Sequence, residues 1–104
     1  MDRVAILRQV LAENPDVAFA RYGLAMEFSR AGDVEAALRE FNTVIAKQPG
    51  YVAAYHMAAQ MLAGAERVRE ARDYLQKGIA AAQSAGNPHA RMEMEALLED
   101  ISRE

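Results

Sequence analysis

The chain of 104 residues has no cysteine, only three prolines and 7% aromatic residues. Without cysteine there can be no disulfide, no thiolate metal site and no cysteine nucleophile. Few aromatics and abundant alanine, within a 52% hydrophobic share, argue for helices and against a sheet. Charge of one sign is not in excess either. Twelve Lys and Arg against fifteen Asp and Glu give a net charge of −3, which carries no bias toward phosphate backbones, so no nucleic-acid partner is expected. Long hydrophobic runs are missing too: Val4, Ile6, Leu7, Val10 and Leu11 are interrupted by Arg8 and Gln9. A signal peptide needs an unbroken apolar stretch, and a membrane span needs about 20 such residues. The expectation is a cytoplasmic protein without a membrane partner.

Catalytic patterns are equally scarce. There is no phosphate-binding loop, no glycine-rich strand-to-helix turn and no Ser/His/Asp spacing. The two histidines, His56 and His89, lie on separate segments, and Glu93 or Glu99 would complete only a weak metal set with them. Asp73 and Asp100 have ordinary helix-surface explanations. No enzyme activity, no cofactor and no metal are expected.

Breakers and 3.6-residue periodicity divide the chain into six helical segments. The first runs from about Asp2 to Glu13 and stops at Asn14-Pro15, because proline disfavours helix in the residue before it. The second begins near Asp16 and ends at Ala31-Gly32. Asp33 caps the third, which ends before Pro49-Gly50. The fourth covers Tyr51 to Ala63, with Gly64 marking its exit. The fifth spans Arg67 to Ala85 and stops at Gly86. Asn87-Pro88, a cap followed by proline at the first helical position, launches the sixth toward Ser102. Short connections make neighbours antiparallel.

Displaced by 34 residues, the chain matches itself. Ala20, Ala25, Ala31, Val34, Ala37, Ile45 and Ala46 fall on Ala54, Ala59, Ala65, Val68, Ala71, Ile79 and Ala80. Phe28 falls on Leu62, and Phe41 on Leu75. Such a period is the signature of stacked helical hairpins, each too small to bury its apolar face alone. Ala25 with Ala37, and Ala59 with Ala71, are expected at facing surfaces, where small side chains let the helix backbones approach closely.

Leu24-Ala25, Phe28, Gly32-Asp33, Ala37, Phe41 and Pro49 stand in the order and spacing of the tetratricopeptide repeat, as do Tyr55, Ala58-Ala59, Leu62, Ala71, Leu75 and Ile79. The chain resembles that family over residues 18–49 and 52–83. One period upstream, Leu7, Val10, Leu11 and Pro15 meet Phe41, Val44, Ile45 and Pro49, so the first helix looks like half of a degenerate repeat. Met94, Leu98 and Ile101 give the sixth helix an inner face. The pattern departs at Arg21, where an aromatic is usual, at Glu66 in place of the turn glycine, and at Gln83 in place of the closing proline. The resemblance implies an all-α fold of about six helices, antiparallel hairpins stacked as a short right-handed α-solenoid. As one domain it would comprise a capping helix (1–14), two repeats (16–49 and 51–86) and a second capping helix (87–104).

In that family, partners usually lie along a concave surface lined by the first helix of each pair. Helical spacing then assigns Phe19, Tyr22, Met26 and Ser29 to the groove, followed by Ala53, His56, Gln60 and Ala63, with His89 and Met92 from the last helix. Adaptable methionines suit an apolar or helical segment, and Tyr22, His56 and Gln60 can hydrogen-bond a peptide backbone. The strip lacks the clustered basic residues that some relatives use to clamp a terminal carboxylate. Two readings follow. One is a non-catalytic adaptor or scaffold that binds an apolar peptide or helix of another protein. The other is a homodimeric assembly unit whose groove or terminal helix is self-complementary. A parallel alternative concerns Phe19, Tyr22 and Met26: they are either groove or core.

Overall fold

Side chains at the junctions set where each helix starts and stops. The computed structural model describes residues 2–103, and among these the chain forms six α-helices and no strand. They are α1 (Arg3–Glu13), α2 (Ala18–Arg30), α3 (Val34–Lys47), α4 (Val52–Gly64), α5 (Val68–Ser84) and α6 (Pro88–Ser102). Three carry the side-chain caps their sequences announce. Asp2 accepts from the Ala5 amide at 2.8 Å, Asp33 from Ala36 at 3.2 Å and Asn87 from Ala90 at 3.1 Å. Each such cap satisfies an amide without an intrahelical partner and contributes about 1 kcal/mol.

Two junctions differ from expectation. Asp16 does not start α2, which begins at Ala18 behind Val17 with no side-chain cap. Its carboxylate instead accepts from Lys47 Nζ at 2.8 Å, and that bond holds the Asp16 carboxyl below the usual carboxylate range. Gly64 is still helical, and the left-handed residue that ends α4 is Glu66. Glu66 has φ 63°, a conformation found otherwise at Gly32 (82°) and Gly86 (66°) among the described residues. The missing turn glycine therefore left the turn unchanged and put an L side chain into it.

The described residues form two compact units, divided between Gln48 and Pro49. In the first, α1 and α3 both pack on α2. Leu7 and Leu11 of α1 join Ala20 and Leu24 of α2 in a core flanked by Val4, Val17 and Phe28. Gly23 brings α1 near: a Cβ there would lie 3.4 Å from both Leu7 δ-carbons, an ordinary contact. On the other side of α2, Ala25, Ala37 and Phe41 are fully buried. The half-buried Arg21 guanidinium, at the position where an aromatic is usual, donates to Glu40 of α3 at 2.8 Å.

In the second unit, α4 and α6 both pack on α5. Ala54, Ala58, Ala59 and Leu62 of α4, Ala71 and Leu75 of α5 and Met94 of α6 have no exposed surface. The Tyr55 hydroxyl donates to the Pro49 carbonyl at 2.7 Å, tying the start of the unit to α4. Gly78 of α5 is the point of closest approach. A Cβ there would fall 2.6 Å from Met94 Sδ and 2.7 Å from Tyr55 Cβ, far inside contact distance.

Two substitutions test these backbone requirements. Gly78→Ala gains about 1 kcal/mol of helix propensity but overpacks a closed site at a cost of about 1–3 kcal/mol. A net loss in the urea-unfolding midpoint is expected, larger for Gly78→Val. Glu66→Gly should raise the unfolding free energy by about 0.5–1 kcal/mol, and the midpoint with it, because it removes the left-handed penalty of an L residue.

Candidate functional site

The face proposed on α2 can be judged residue by residue. Residues spaced three and four apart share a side of a helix, and α2 uses two sides for packing: Ala20, Gly23 and Leu24 toward α1, and Arg21 and Ala25 toward α3. Phe19, Tyr22, Met26 and Ser29 lie on what remains. Phe19 is 71% exposed, an unusual condition for a phenylalanine next to an available core. Met26 and Ser29 are half-buried. Tyr22 is half-buried too, with its ring edge-on to Phe41 of α3, centroids 6.1 Å apart and planes at 62°. That geometry contributes about 0.5–1.5 kcal/mol beyond simple burial. The choice between groove and core thus resolves differently along one strip: Phe19 is surface, while Tyr22 is anchored to the hairpin along one edge.

In the second unit, α4 presents Ala53 and Gln60 as exposed and His56 and Ala63 as half-buried. The Gln60 amide Nε2 lies 3.3 Å from His56 Nε2, one helical turn away, so the two polar side chains orient each other. On α6, Met92 is 62% exposed, and His89 Nε2 lies 3.3 Å from a Glu93 carboxylate oxygen on its own helix. Each histidine is therefore engaged by a neighbour on the same helix. Among the described residues, no group of three or more His, Asp or Glu is arranged to hold a metal ion. None of their helices is long and apolar enough to cross a membrane.

Sequence reasoning missed two surface residues. Helical spacing assigns neither Ile6 nor Val10 of α1 to the groove, and Val10 matches Val44 in the repeat register. Val44 is 1% exposed, whereas Val10 is 37% and Ile6 47% exposed. The apolar positions of α1 do not by themselves reveal that α2, the helix it packs on, covers only one side of it.

Comparison with known proteins places this arrangement. The family described as tetratricopeptide repeat matches residues 4–62 and again 28–97. A TPR repeat-containing protein of Pseudomonas aeruginosa, PA0015, is 29% identical over 97 residues, 93% of this chain and 92% of that protein. Among solved structures, protein BPP2914 of Bordetella parapertussis superposes with a TM-score of 0.85 at 25% identity, over 99% of this chain and 90% of its own. A tetratricopeptide repeat domain protein of Salinibacter ruber gives 0.77 at 25% identity, over 85% and 89% of the two chains.

Alanine substitutions separate surface from support. Phe19→Ala should change unfolding free energy by no more than about 0.5 kcal/mol, as for an exposed side chain. Tyr22→Ala, which removes a ring packed on Phe41, should cost about 2–3 kcal/mol. Thermal or urea denaturation of both variants measures the difference.

Proposed function

The chain belongs to the tetratricopeptide-repeat family, and on that premise we propose that it is a non-catalytic adaptor that binds an apolar peptide or helix of another protein. The fold itself generally serves protein–protein interaction. The finer reading is supported chiefly by one observation: Phe19 stands 71% exposed on the α2 side that packing leaves open. Met26 and Ser29 continue that side toward the C-terminal end of the helix, and Tyr22 borders it.

The chemistry of the strip favours this class of ligand. It carries little charge, so its affinity would come chiefly from apolar burial, at roughly 25 cal/mol per Å² before ordering costs are subtracted. Phenylalanine supplies a broad apolar surface, and methionine adapts to differently shaped partners. Rigid helical backbone beneath them limits the entropy lost on binding to side-chain rotamers. In the second unit, Ala53 and Ala63 of α4 would give a ligand close access to the backbone. His56 and Gln60 would offer hydrogen bonds to it. On α6, Met92 and His89 would supply an apolar and a polar contact.

NMR titration with a panel of amphipathic helical peptides tests the reading. Chemical-shift changes are expected to concentrate on Phe19, Tyr22, Met26 and Ser29 of α2. Phe19→Ala with Met26→Ala should weaken a peptide that binds by at least tenfold, about 1.4 kcal/mol, with the fold intact by circular dichroism. Shifts confined to the charged outer faces of α3 or α5, or no response across the panel, would reject it.

A further inference from the structure

α1 buries Leu7 and Leu11 against α2 and leaves a second stripe of the same helix uncovered. Arg3, Ile6, Val10 and Glu13 follow one another at spacings of three, four and three. On a 3.6-residue helix these positions share a single narrow sector, in the pattern that seams two helices together. Ile6 is 47% and Val10 37% exposed, and together they form the largest apolar exposure on α1. Glu13 is exposed, and the Arg3 side chain is 60% exposed even while Nε lies 3.5 Å from Glu27.

The order of these residues identifies what would cover them. Read along the helix, the stripe is positive, apolar, apolar, negative. In two antiparallel helices, a residue at one distance before the midpoint faces the residue at the same distance after it, because the rise per residue is constant. Arg8 is the midpoint of this stripe. Arg3 and Glu13 lie equally far on either side of it, and Ile6 and Val10 do so closer in. A two-fold axis beside Arg8 therefore sets Ile6 against the partner's Val10 and Arg3 against the partner's Glu13, each pairing occurring twice. A parallel arrangement would instead set Arg3 against the partner's Arg3.

From this charge and apolar complementarity we propose that the exposed stripe of α1 is a docking surface for the α1 of a second copy of this chain, in antiparallel two-fold contact. The interface is isologous, so it closes on a dimer and does not propagate. Its extent is set by one helix of 11 residues, about 16 Å long. It falls below the standard interface of about 1,600 Å² and makes a weak, concentration-dependent dimer. The surface lies on α1 and the peptide reading rests on α2, so either can fail without the other.

Sedimentation equilibrium of the full chain, from about 10 μM to about 1 mM, tests the proposal. A monomer–dimer equilibrium is expected in that range. Ile6→Glu, which places a carboxylate in both copies at the centre of the seam, should remove the dimer while circular dichroism stays unchanged. Glu13→Arg alone should weaken association roughly tenfold through two like-charge pairs. Combined with Arg3→Glu it should recover most of that loss, because both pairs are restored with their signs exchanged. The single Arg3→Glu variant shares the loss of the Glu27 contact with the double variant and controls for it. A monomer throughout the range, or a dimer indifferent to Ile6→Glu, overturns the proposal. Failure of the double exchange to recover what Glu13→Arg lost overturns the antiparallel pairing on which it rests.

Discussion

A hairpin of two short helices holds together only if the backbones come close enough for side chains from both to fill one seam. Alanine meets that requirement here. Ala25 and Ala37 in one hairpin, and Ala59 and Ala71 in the other, have no exposed surface. Phe41, Leu62 and Leu75, equally inaccessible, fill the adjoining space. A seam made this way uses only part of each helix, because small residues bring the axes together without wrapping around them. The larger apolar side chains on the other faces then need separate explanations, and Phe19, Ile6, Val10 and Met92 are those that remain in solvent.

The third helix of each unit shows how much the close approach of backbones can vary. Both units admit it at a glycine. At Gly23 an added Cβ would meet Leu7 at an ordinary distance, whereas at Gly78 it would collide with Met94 and with the stem of Tyr55. α6 is accordingly seated deep, with Met94 wholly inaccessible, and α5 is shaped to receive it. The looser seating of α1 leaves Leu7 and Leu11 slightly exposed and one flank of the helix open. The two ends of the repeat pattern thus carry a tightly inserted helix and a more superficial one.

Much of this was legible in the sequence because it depends on local chemistry or on repetition. Asp33 and Asn87 cap, Gly32 and Gly86 turn left-handed, and the alanines that recur at one offset are buried together. The failures come from contacts distant along the chain. Asp16 has the composition of a cap, but Lys47 is close enough to take its carboxylate. Gly78 occupies the register of Val44, and the close approach of Met94 and of the Tyr55 stem explains why the second copy has no side chain there. Val10 likewise shares a register with Val44, yet lacks the neighbours that bury it. Periodicity identifies a face correctly without telling how many partners cover it.

Tyr22 illustrates the same limit and clarifies what the open side of α2 can do. Helical phase assigned it to the same strip as Phe19 and Met26, and in angle it belongs there. Its ring nevertheless lies edge-on to Phe41, which α3 holds at the centre of the hairpin. A half-buried side chain braced in this way can support a neighbouring contact without collapsing when solvent is removed from it. Phe19, one turn away, stands 71% exposed. A surface with one braced aromatic beside one exposed aromatic is partly preorganised, because the braced ring has little rotamer entropy left to lose. The hairpin seam that excludes Phe19 from the core is therefore also what supplies the support beside it.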